Sequence, residues 1–223
     1  MDLSHVVVAL ARGRSHLHPD VRSMLTELIG AGALVRQPQA PSADVCLMRS
    51  CLISDTLQAA PKGRTVMLLL DDDCVAEPTR LEHLCKRART EPVSGVYMRA
   101  DRVIAATRLE EYSGAPEHAG RWLVGLGCCA VPLTALRDLR AKLPEIEFAG
   151  GSRKFYPFCT AGAWRGSSRI RWLADDYSLS LALGGFALDP SVPVGHVKPV
   201  PLWPAAESLA ELEVGEKLSE AAE

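Results

Sequence analysis

Apolar and polar positions along the chain fall into runs of two periods. Residues 6–10 (VVVAL) are all apolar and mostly β-branched, which predicts a strand buried on both faces. Pro19 then opens a helical pattern through Leu28, with Val21, Met24, Leu25 and Leu28 on one face and Gly30 and Gly32 beyond its end. A second helix is expected over 49–60. Residues 65–70 (TVMLLL) form the strongest strand signal and are expected at the centre of a sheet. Pro78 starts a third helix, with Leu81, Leu84, Cys85 and Ala88 on one face, and 93–98 read as a further strand. This alternation of strands and helices predicts an α/β domain with helices flanking a sheet.

The second half is less regular. Residues 150–168 are rich in Gly, Ser and aromatics and read as a long loop. Residues 175–183 read as a short helix, with acids at its positive end and Gly184-Gly185 as the stop. Two short extended pieces, 186–188 and 192–194, flank Asp189-Pro190. The acidic stretch from 205 to 223 is expected to be a peripheral helix or tail, so 1–204 is the expected folded domain. No internal repeat is visible.

Composition narrows the class. The 223 residues include 48% hydrophobic ones, ample for a core and too many for a disordered chain. Lys+Arg 25 against Asp+Glu 27 gives a net charge of -2, which excludes a globally basic nucleic-acid binder. Seven cysteines, none in a CxxC pair, fit neither a disulfide framework nor a zinc ribbon; reduced, buried thiols are expected. No run is long enough for a membrane span or a signal-peptide core, so a cytoplasmic protein is expected.

Asp71-Asp72-Asp73 follows the strongest strand directly. In open α/β sheets ligands bind at the carboxyl ends of strands, so the position suits a site. On an extended backbone Asp71 and Asp73 share a face while Asp72 points away. Two close carboxylates repel unless one takes a proton or a cation such as Mg²⁺ or Mn²⁺ neutralises them. The plainer alternative is a polar strand end with one Asp capping a turn. Asp175-Asp176 has a comparable pair of readings: helix-start acids favoured by capping, or a general base acting on a hydroxyl nucleophile. His196 is either a hydrogen-bonded residue or a metal ligand.

Between Arg153 and Trp172 lie five cations and no acids, interleaved with Phe155, Tyr156, Phe158 and Trp164. That composition suits sugar stacking, phosphate or nucleic acid, or else a solvated loop with its aromatics packed inward. Gly125-Leu126-Gly127 lacks the third glycine of a dinucleotide fingerprint and does not follow the first strand. No GxxxxGK[ST] is present, which excludes a P-loop.

Taken in order, these pieces resemble a GT-A-type glycosyltransferase of the family 2 kind, particularly its small single-domain and phage-encoded members. Leu70-Asp71-Asp72-Asp73 with Glu77-Pro78 is similar to the DxD segment and the Pro that opens the next helix. Residues 93–99 (VSGVYMR) resemble the strand that follows, and residues 125–132 (GLGCCAVP) the GxG segment before a short helix. Asp175-Asp176-Tyr177 resembles the ED-Y motif, with Asp for the usual Glu, and residues 189–197 resemble its DPS…GH segment.

The resemblance implies a metal-dependent, inverting transfer of a sugar from a nucleoside diphosphate, with a UDP-sugar as the first expectation. It implies Asp73 and His196 as ligands of Mn²⁺ or Mg²⁺. Asp71, Asp72, Arg49 and Gly127 would lie on the donor side. Asp176, with Asp175 beside it, would supply the base. Arg153, Trp164 and Arg165 are the acceptor-side candidates, for a glycan, another hydroxyl acceptor or DNA carrying a hydroxymethylated base. Two other readings remain: a nucleotidyltransferase acting on a sugar phosphate, and a non-catalytic nucleotide-sugar-binding module.

Overall fold

A strand with apolar side chains at every position must be covered on both faces, and the core is divided accordingly. The computed structural model describes residues 1–12, 16–38, 44–59, 62–98, 106–113, 116–147, 154–165 and 170–197. Its first half runs β1 (Val6–Ala11), α1 (Pro19–Gly30), β2 (Leu34–Arg36), α2 (Val45–Ala59), β3 (Val66–Asp71), β4 (Cys74–Val75), α3 (Pro78–Arg87) and β5 (Val93–Val96). There follow β6 (Ala106–Arg108), α4 (Leu109–Ser113), β7 (Trp122–Val124), β8 (Cys128–Pro132), α5 (Leu133–Arg140), β9 (Ile146–Glu147) and β10 (Lys154–Phe155). The chain continues through β11 (Gly162–Arg165), β12 (Ile170–Leu173), α6 (Asp175–Ala182), β13 (Ala187–Pro193) and β14 (Gly195–His196).

The main sheet has six strands in the order β13-β5-β8-β3-β1-β2. Strand β8 is antiparallel to both of its neighbours, and the other pairings are parallel. Alternation along β1 and β3 sends side chains to opposite faces. Val6, Val8, Leu10, Leu68 and Leu70 pack with α1 and α3, while Val7, Ala9, Met67 and Leu69 pack with α2, α5 and α6. β3 is therefore interior, as its sequence predicts. The mixed sheet flanked by helices is the expected α/β architecture. No helix among the described residues is long and apolar enough to cross a membrane.

Three expectations need correction. Helix α2 begins at Val45 rather than Arg49, because the Asp44 carboxylate accepts the Leu47 amide at 2.9 Å and caps the preceding turn. Arg49 consequently sits inside the helix. The stretch read as a loop over 150–168 contains β10 and β11, and β11 pairs antiparallel with β12; its small residues conceal strands too short for periodicity to reveal. The two extended pieces around Asp189-Pro190 are one strand, β13, whose register shifts between Asp189 and Pro193. It is an edge strand, where a residue without an N–H is tolerated. The tail over 205–223 lies outside the described residues.

Asp189 fastens that edge strand to α3. Its carboxylate accepts from Arg87 Nη1 at 2.8 Å, Ser191 Oγ at 2.6 Å and the Ser191 amide at 3.1 Å, with His83 Nε2 3.3 Å away. Burial alone would raise its pKa, but the Ser191 and Arg87 bonds outweigh it and hold the carboxyl below the ordinary 3.8. The contribution is complete above the unfolded-state value and is lost as pH falls through the lower folded value. Asp189→Ala is expected to cost about 1–3 kcal/mol in a urea titration at neutral pH. The gap to the parent should shrink in a titration below that range.

Candidate active site

The site is assembled where β1 and β3 end together, with Ala11 opposite Asp71 in the register. The Asp71 amide donates to the Gly127 carbonyl at 3.0 Å and the Asp72 amide to the Ala11 carbonyl at 3.1 Å, after which the chain turns. The three aspartates are thus not an extended run. Asp71 faces Arg49, whose Nη2 donates to Oδ1 at 2.9 Å and Oδ2 at 2.8 Å. Burial pushes the Asp71 carboxyl upward, and the Arg49 guanidinium restrains the rise. Ala9, Ala11, Leu52 and Leu126 line a cavity beside this pair. Asp72 is buried in the turn.

Asp73 belongs to a different group. The two-stranded ribbon of β4 and β14 sets Cys74 directly opposite His196, and the Val197 amide donates to the Asp73 carbonyl at 2.7 Å. Directly opposed residues share a face. The ligand atoms of Asp73, Cys74 and His196 all lie within 4.8 Å of one another. A carboxylate oxygen, a thiol sulfur and an imidazole nitrogen in one cluster are a donor set that fits a divalent cation. Burial, and then the charges of Asp71 and Asp73, push the Cys74 thiol well above its usual range.

The second acidic pair stands on α6. Asp176 Oδ1 accepts the Tyr177 amide at 2.8 Å, while Oδ2 lies on the side facing Gly125. The Asp175 side chain lies outside the described residues. Tyr97 links the two groups: its ring lies 5.1 Å from the His196 ring, and its hydroxyl fills the space that a side chain at Gly125 would need. Burial, reinforced by Cys74, Asp176 and Asp71, pushes the Tyr97 phenol far above its ordinary pKa, so it stays protonated. A methyl group at Gly125 would overlap that hydroxyl. Gly125→Ala is expected to cost about 1–3 kcal/mol in chemical denaturation, and adding Tyr97→Phe should recover part of the loss.

Gly127 lies against two of these groups, since a Cβ there would come 2.9 Å from the Cys74 sulfur and 3.4 Å from Asp71 Oδ2. Arg153 lies outside the described residues. Trp164 and Arg165 are placed on β11, with their side chains likewise outside the description. Cys74 and Tyr97 were not expected in the site. Cys74 could have been flagged by its position after the acidic run, but a lone thiol without a CxxC partner carries little signal. Tyr97 is visible only through three-dimensional contact.

A mixed sheet covered by helices, with acidic side chains at the carboxyl ends of its strands, defines a Rossmann-like α/β fold with a candidate ligand site at the expected edge. The chain is similar to the crystal structure of A197 from STIV, with a TM-score of 0.54 and 13% identity. The match covers 90% of this chain and 94% of that one, so the likeness spans the whole fold. No protein-family profile matches the chain, and no curated protein matches it.

Proposed function

We propose that the protein is a metal-dependent glycosyltransferase that moves a sugar from a nucleoside diphosphate to a hydroxyl acceptor with inversion. The observation that carries this reading is the convergence of three groups at one sheet edge: Asp71 with Arg49, Asp73 with Cys74 and His196, and Asp176 against Gly125 and Tyr97. Asp73 and His196 would hold the ion. A divalent cation there would offset the charge that develops on a departing diphosphate.

The chain's own groups supply the rest. Arg49 and Asp71 stand where β1 and β3 end and orient the donor nucleotide. Asp176 accepts the proton of the acceptor hydroxyl as the new bond forms. A carboxylate of ordinary basicity serves this step if it is held in place, and the Tyr177 amide holds one of its oxygens. Tyr177 also meets Thr107 Oγ1 at 3.4 Å and stands edge-on to Tyr112 at 6.4 Å, forming a wall suited to a sugar ring next to the base.

The test incubates the protein with UDP-, GDP- and other activated sugars and Mn²⁺, Mg²⁺ or Zn²⁺, and measures nucleotide released by slow hydrolysis. Nucleoside diphosphate from one donor is the expected result. Pyrophosphate release would instead identify a nucleotidyltransferase, and no release with retained donor binding a binding module. Acceptor recognition through Arg153, Trp164 and Arg165 is read separately, since a DNA acceptor predicts binding that falls steeply with salt.

A further inference from the structure

We infer that Cys74 is a metal ligand, and that the site therefore takes a borderline-soft ion of the Zn²⁺ class in preference to Mg²⁺ or Mn²⁺. The inference builds on the reading that Asp73 and His196 hold a divalent ion, and adds the thiol that decides which ion.

Three observations carry it. First, the β4–β14 register makes Cys74 and His196 a directly opposed pair, so sulfur and imidazole share one face without any rearrangement of the backbone. Second, the Cys74 sulfur stands 3.8 Å from Asp73 Oδ1. The thiol is thus directed at the carboxylate, and both donor atoms face one point that an ion could occupy. Third, Cys74 is fully buried while Asp73 and His196 are half-buried, so the thiol closes the inner side of the cluster and the other two face the approach. Gly127 keeps that inner side open, because a Cβ there would meet the sulfur.

The charges also close. Binding forms a metal–sulfur bond and releases the thiol proton to solvent. One carboxylate and one thiolate then neutralise a doubly charged cation beside a neutral imidazole. Three protein ligands leave a fourth position of a tetrahedral site for an outside oxygen. Thiolate ligation favours zinc-like ions, while Mg²⁺ and Mn²⁺ favour all-oxygen shells.

The experiment adds Co²⁺ to the reduced full-length protein, with no donor or acceptor present, and records the near-ultraviolet spectrum. A sulfur-to-cobalt charge-transfer band that is displaced by Zn²⁺ and absent in Cys74→Ser is the expected result. It should persist in Cys128→Ser, which removes another thiol buried in the same core cluster. Cys74→Ser should weaken Zn²⁺ binding at least about tenfold in competition titrations while leaving Mn²⁺ binding unchanged. Zinc-edge absorption on the unaltered protein gives a check that needs no variant, with one sulfur expected at about 2.3 Å. Metal binding that is lost in Asp73→Ala but shows no sulfur ligand in either spectrum would overturn the role of Cys74 and leave the transferase reading standing. Absence of metal binding altogether would overturn both.

Discussion

Replacing Asp176 by Asn is expected to lower sugar transfer by about 10²–10⁴-fold while nucleotide-donor binding is unchanged. The two carboxyl oxygens do different things. Oδ1 accepts the Tyr177 amide in the first turn of α6, and Oδ2 is directed toward Gly125 and the Tyr97 hydroxyl. The amide of Asn can keep the first contact through its own carbonyl, so the helix start and the local packing survive. What it cannot do is take a proton from a hydroxyl. In the proposed reaction donor binding falls to Arg49 and Asp71, at the ends of β1 and β3. The measurement is single-turnover transfer beside calorimetric titration of the nucleotide. Intact turnover would remove Asp176 from the base role. Asp175→Asn, made in parallel, assigns the role within the pair.

Much of the scaffold was legible from local pattern. β1 and β3 announced themselves because a strand covered on both faces is apolar throughout, and α1 and α3 because one apolar stripe recurs at the helical period. The candidate site was legible only in its charged members. Asp71, Asp73, Asp176 and His196 stand at element ends, where the topology gathers them. Cys74 and Tyr97 carry little local signal, since a buried thiol and a buried phenol read as core until the β4–β14 ribbon and the Gly125 approach bring them to the site. That ribbon is two residues long on each side, too short for any period to show. The separate environments of Asp71 and Asp73 were hidden for a related reason. Alternation holds on an extended strand, and the chain turns immediately after Asp71.

Arg49→Met is expected to destabilise the protein by about 3 kcal/mol and to abolish donor binding, and Asp71→Leu to do nearly the same. The guanidinium meets both oxygens of Asp71 at 2.8–2.9 Å, with the two side chains only 11% and 26% exposed. Removing one partner strands a charge in a poorly solvated place, and that stranded charge is the main cost. The figure is set at the low end of the range for buried pairs because Asp71 keeps a quarter of its exposure. Replacing both partners removes both charges, so the Arg49→Met/Asp71→Leu double variant should recover most of the lost stability in urea titrations, far from the sum of the single losses. Donor binding should not return with it. A pair kept only to hold α2 against β3 would make the repacked double variant both stable and competent. A stable double variant that no longer binds nucleotide separates the two roles, and it would place the ion pair's cost to the fold on the side of ligand recognition.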